Sequence, residues 1–141
     1  LFPSFDIFLL LSRVVNDSAF MIRGIIAILL LVVSNLLMTF AWYGQVMFKS
    51  KIERLSIFMI ILLSWAVAFF EYIAMVPANR IGSQQYGGPF SIWQLKIIQE
   101  AISLTVFAVL VQIIMKNEAI RWNHIVGFVF LLLAVFFIFK K

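Results

Sequence analysis

Two carboxylates and one ammonium interrupt the longest apolar runs of this 141-residue sequence. Glu71 lies in "SWAVAFFEYIAMVPANRIG" (residues 64–82), and Lys96 and Glu100 lie in "FSIWQLKIIQE" (residues 90–100). In hydrocarbon a central charge costs at least about 2.5–3.5 kcal/mol on insertion scales, so each one needs a partner or a purpose. Lys96 and Glu100 stand four apart, share a helix face and can neutralise each other. One carboxylate is then left without an intramembrane partner. A carboxylate so placed can take up and release a proton, which a proton-coupled carrier requires. The bland reading is structural: the Lys96–Glu100 pair and Glu71, reaching the interface or Arg80, only fix helix packing.

Further polar side chains fall near these three. Asn35, Thr39 and Trp42 share one helical face with Ser34 beside it, a hydrogen-bonding stripe suited to a bundle interior. Asn79 and Arg80 follow Pro77. The candidates for a substrate or proton pathway are therefore Glu71, Glu100, Lys96, Asn35, Asn79 and Arg80. Other chemistries find little support. His124 is the only histidine and there is no cysteine, so no metal site is expected. Gly87-Gly88-Pro89 lacks the lysine of a phosphate loop. No Ser, His and Asp constellation is evident. Neither a catalytic residue nor a cofactor is expected, and the chain is not read as an enzyme.

These side chains need elements to hold them, and composition says of what kind. Hydrophobic residues make up 65% and charged residues 12% of the chain, against about 45–50% and about 25% in soluble domains. A soluble fold of this length could not hide so much apolar surface, so the lipid bilayer is the partner. The net charge of +5 is spread between apolar runs rather than gathered on one basic face, which argues against nucleic acid.

Four runs are long enough to cross about 30 Å of hydrocarbon as helices: 25–43, 55–76, 92–115 and 122–139. Helices satisfy their backbone groups within lipid, and no run shows the strict alternation of a barrel strand. The expected fold is an all-α membrane protein of four transmembrane helices over residues 21–141. Pro77 disfavours helical geometry at Val76 and is read as the end of span two. Glu71 would then lie about 7–8 Å inside that end, with Glu100 closer to the midplane. On one face, Ser64, Ala68 and Met75 flank Glu71 and suit close helix contact. Ser91 and Gln94 make a capping-box pattern ahead of span three. Between them "PANRIGSQQYGGPF" is long for a connector, as functional or mobile loops are. Trp42, Tyr43, Tyr86, Trp93 and Trp122 sit near span ends, where headgroups favour them. Span four, "IVGFVFLLLAVFFIF", has no polar side chain and is expected to face lipid or a partner subunit.

Residues 1–20 hold an apolar run too short to span, with Arg13 after it rather than before it. They are read as an N-terminal extension, not native, ahead of a natural start at Met21; an interfacial helix is the alternative. Lys49, Lys51, Arg54, Lys116 and Arg121 fall on one side of the membrane. Arg23, Arg80, Lys140 and Lys141, with Arg13 of the extension, fall on the other. That balance leaves the positive-inside rule without a preferred side and is compatible with dual topology.

"TFAWYG", "SWAVAFFEYIAMVPANRIG", "FSIWQLKIIQE" and the closing "AVFFIFK" resemble a family of small four-helix bacterial membrane proteins. That family is assigned to the drug/metabolite transporter (DMT) superfamily. The resemblance runs from about Met21 to Lys140. It implies a transporter of small molecules in the inner or plasma membrane, working as a homodimer. The small multidrug exporters of that superfamily carry their essential glutamate in the first span. Here span one has none, its most polar side chains being Asn35 and Thr39, so their antiport mechanism does not carry over. The expected function is a secondary transporter of an unspecified small-molecule substrate, with Glu71 and Glu100 exchanging protons. The alternative is a non-transporting membrane subunit.

Overall fold

The computed structural model describes residues 3–115 and 119–140, with side chains from Ser12 onward. Lys116 and Lys141, which count in the charge balance, lie outside the described residues. The chain forms α1 (Pro3–Met47), a single turn α2 (Lys49–Ile52), α3 (Ile57–Gly82), a 3-10 turn (Gln84–Tyr86), α4 (Ile92–Ile114) and α5 (Trp122–Phe139). Four helices are long and apolar enough to cross a membrane: α3, α4, α5 and the Ser12–Met47 part of α1. This is the four-span all-α membrane fold that the hydropathy pattern implies.

α1 is the centre of the bundle. It packs along α3 and, less extensively, on α4, and α4 in turn packs on α5. Its buried face carries Gly24, Ala27, Leu31, Ser34, Asn35, Thr39 and Ala41. The facing stripe of α3 is Glu71, Ala74, Ala78 and Gly82. Small residues at these spacings let two backbones approach, which is how helices associate where lipid removes the hydrophobic drive. At Gly82 a Cβ would stand 2.9 Å from Leu95 Cδ2 and 3.0 Å from Ala27 Cβ, so α1, α3 and α4 converge there. α5 has no buried residue. Phe130, Leu132, Phe136 and Phe137 are all at least 60% exposed, as a lipid-facing span requires.

Two boundaries differ from the sequence expectation. The expected span 25–43 lies within α1, one unbroken helix of 45 residues that runs beyond it at both ends; residues 3–20 continue it without a break. Helix α3 does not stop at Val76. It passes through Pro77 and ends at Gly82. The proline costs one backbone bond, to Ile73. Ala74, Ala78 and Gly82 on either side of it are buried, so packing along α1 holds the helix past its local stop. Met75, Ser64 and Ala68 are only half-buried, and the close-contact face therefore runs from Glu71 toward Gly82 rather than back toward Ser64.

The connector after α3 is consequently short and hydrogen-bonded, not a long open loop. Phe90 N–H donates to Gly82 O (2.8 Å) and Gln84 N–H to Phe90 O (2.9 Å), while Gly88 N–H donates to Ser83 O (2.8 Å). Gly87 turns the chain with φ 76°. A Cβ on Gly88 would fall 2.3 Å from Ile81 O, so only glycine fits there. The Ser91–Gln94 capping box opens α4 as the spacing predicts. Phe139 meets Phe90 with ring centroids 6.4 Å apart, which brings the end of α5 to the same end of the bundle as this turn.

Candidate functional site

The extension of α3 moves Glu71 inward. It lies about 21 Å from Ile57 and about 16 Å from Gly82 along the helix axis, close to the middle of the span. Glu100 is about 12 Å from Ile92 and about 21 Å from Ile114. Measured along its own helix, Glu71 is thus nearer the middle than Glu100, because Pro77 is interior to α3 and not its end.

Glu71 is fully buried, at 0% exposure. Ser34 Oγ, reaching across from α1 and itself 1% exposed, donates to Glu71 Oε1 at 2.6 Å. Glu71 Oε2 is buried and has no hydrogen-bond partner among the described residues. The salt bridge found among the described residues joins Lys96 and Glu100, so no cation lies against Glu71. A carboxyl at mid-span therefore has one neutral donor and one unsatisfied oxygen. Such a group is an exception among buried polar atoms, nearly all of which are hydrogen-bonded.

Asn35 and Thr39 are buried beside it but turn inward along their own helix. Asn35 Nδ2 donates to Leu31 O at 2.8 Å, and Thr39 Oγ1 donates to Asn35 O at 2.8 Å. Trp42, expected on this stripe, is 62% exposed; Ala41 takes the buried place, and the indole sits where headgroups accommodate it. The residue that meets Glu71 is Ser34, which helical spacing alone places only beside the stripe. A signal for it does exist in the sequence: Ala27, Leu31 and Ser34 step along α1 at helical spacing as Ala78, Ala74 and Glu71 step back along α3.

The other four candidates gather elsewhere. Lys96 Nζ and Glu100 Oε1 pair at 2.5 Å, with side chains 62% and 46% exposed. Lys96 borders a hollow of about 340 Å³ at the turn end of the bundle, together with Asn79, Arg80 and Gln99. Arg80 lies over the Tyr86 ring at 4.8 Å. The six candidates thus do not form one site. Glu71 lies in the α1–α3 contact, and Asn35 is buried on α1 next to Ser34, the partner of Glu71. Asn79, Arg80 and Lys96 line the hollow, and Glu100 pairs with Lys96 outside that lining. At the opposite end, Tyr43, Phe107, Val111, Gln112, His124 and Phe128 line an apolar groove of about 600 Å³. No group of three His, Cys, Asp or Glu side chains that could hold a metal occurs among the described residues.

A family model described as "Putative member of DMT superfamily (DUF486)" matches residues 27–139. The chain belongs to this family. The DUF486 match begins at Ala27, on the buried face of α1, and ends at Phe139, the last residue of α5. It covers both the Ser34–Glu71 contact and the hollow between α3 and α4. The first 26 residues lie outside it. No curated protein and no solved structure matches the chain.

Proposed function

We propose that this DUF486 protein is a secondary transporter of a small molecule, coupled to protons through Glu71, in the inner or plasma membrane. One observation carries the reading: a fully buried mid-span carboxyl whose second oxygen has no partner among the described residues. Packing alone does not call for it, because an apolar side chain would fill the α1–α3 contact without the desolvation cost. A proton on Glu71 removes that cost, and its loss reinstates it; a change in helix packing can therefore follow the proton. In this reading Ser34 holds the carboxyl and Asn35 keeps the neighbouring wall polar. Glu100, balanced by Lys96, is a second exchangeable carboxyl, and Asn79 and Arg80 line the approach. A homodimer supplies what four helices lack, since α5 offers a second copy an apolar face with no buried residue. Membership of the DMT superfamily agrees with this assignment.

The Ser34–Glu71 bond and the Lys96–Glu100 pair also favour a second reading, in which these groups only lock helices together. Proteoliposomes with an internal pH dye separate the two. Candidate substrates are expected to drive proton movement in the natural protein and not in Glu71→Gln, which keeps the acceptor for Ser34; Glu100→Gln is expected to slow it. Unchanged flux in Glu71→Gln, or no proton movement with any substrate while the variants lose only folding yield, would leave the packing role standing.

A further inference from the structure

The hollow between α3 and α4 has a chemistry of its own. Asn79, Arg80, Ser83, Tyr86, Lys96 and Gln99 line it together with two aliphatic side chains, and most of its exposed wall is apolar, with the polar groups set into it. Two of these groups are cations, two are amides and two are hydroxyls; no carboxylate is in the lining. Its volume of about 340 Å³ is at the lower end of the range for small-ligand sites.

The cations are placed rather than merely present. Arg80 lies over the Tyr86 ring, and its Nη2 reaches Tyr86 Oη at a long 3.4 Å. Tyr86 is fixed in turn, because Arg23 Nη2 donates to its carbonyl at 2.6 Å and the tight turn holds its backbone. Arg80 has no ion-pair partner among the described residues, whereas Lys96 has Glu100. Three cations thus stand about this turn, and Glu100 offsets one of them. A guanidinium stacked on an aromatic face keeps its donors free, and guanidinium forks suit carboxylate and phosphate oxygens. The depth agrees as well: Tyr86 and Trp93 are 54% and 77% exposed at this helix end, where headgroups lie.

We infer that this hollow binds an anionic group, a phosphate or carboxylate, held by Arg80 and Lys96 with Asn79 and Gln99 as amide donors. Glu100 competes with the ligand for Lys96 and so sets the affinity. The site lies apart from Glu71 and stands whether or not the chain carries protons. Two sources share this chemistry: the headgroup of an anionic lipid and a small anion from water. Basic pockets between membrane helices are suited to the first.

The test is equilibrium binding to the full chain, with no transport readout. One arm measures retention of phosphatidylglycerol against phosphatidylcholine by native mass spectrometry. The other measures thermal stabilisation by inorganic phosphate in phosphatidylcholine nanodiscs. Arg80→Gln and Lys96→Gln are each expected to weaken binding about tenfold, Arg80→Lys less. Glu100→Gln is expected to tighten it, a direction that a merely structural ion pair would not give. Arg54→Gln, at the other end of the bundle, is expected to leave it unchanged. Both Arg80 and Lys96 are exposed, and circular dichroism checks that each variant keeps its helices. Binding in the lipid arm alone assigns a headgroup, and binding in the phosphate arm alone assigns a soluble anion. Binding in neither arm overturns the inference. So does binding that Arg80→Gln and Lys96→Gln leave intact, that Glu100→Gln weakens, or that Arg54→Gln reduces as much.

Discussion

Ser34 and Glu71 form a pair whose two members mean little apart. The hydroxyl alone would bond back to its own helix, as Thr39 does to Asn35, and the carboxyl alone would be a buried group with no donor. Ser34→Ala removes the one hydrogen bond to Glu71 and leaves both its oxygens unsatisfied, at a cost of about 1–3 kcal/mol. Ser34→Ala is therefore expected to lower the unfolding midpoint in detergent. In Ser34→Ala/Glu71→Leu the polar atoms of both partners are gone, and stability should recover by much of that amount. Additive losses in the double variant would show that the two side chains are not coupled. The pairing is half legible in the sequence. Glu71 announces itself as a carboxylate in an apolar run, and Lys96–Glu100 is a local four-residue spacing that one helix defines. Ser34 meets Glu71 only because two helices align, and the matched steps of small residues along α1 and α3 name this contact, 37 residues apart, only once the register of the two helices is known.

At the scale of elements, hydropathy locates the four spans because lipid imposes their length and leaves no other economical backbone. The capping box at Ser91 is equally plain, since its two bonds close within four residues. What misleads is Pro77. A proline before a polar, glycine-bearing stretch has every local mark of a helix end, yet Ala74, Ala78 and Gly82 bury a stripe that spans it. Tertiary packing outweighs one missing backbone bond. A substitution separates these effects. Pro77→Ala restores an N–H that can donate to Ile73 O without altering the stripe; in a helix interior that change is worth up to about 3 kcal/mol. The variant is expected to keep its helix content and to unfold at a higher temperature than the natural protein. Were Pro77 a true stop, the same change would lengthen α3 into the Ser83–Phe90 turn and lower stability.

For the whole molecule, the remaining asymmetry to explain is orientation. The fold places Arg23, Arg80 and Lys140 at the end bearing the Ser83–Phe90 turn, where Phe90 meets Phe139. The opposite end holds Lys49, Lys51, Arg54 and Arg121, around α2 and the start of α5. With Arg13 on the stretch of α1 beyond that turn, four cations outside the apolar spans stand against four among the described residues, too even for charge alone to choose the cytoplasmic side. Two of the three at the turn end are also engaged, Arg23 on the Tyr86 carbonyl and Arg80 on its ring; their positions are dictated by the turn as much as by topology. A chain so balanced should respond to small additions. Three lysines appended after Lys141 are expected to raise the share of molecules whose C-terminus is cytoplasmic, read from the accessibility of a terminal tag in intact cells. Replacing Lys49 and Lys51 by glutamine should move the distribution the same way, because it empties the competing end. If neither change moves it, charge balance is not what orients this protein. The determinant would then have to be something the two ends do not share, such as the long first helix, which continues about 31 Å beyond Gly24 past the turn.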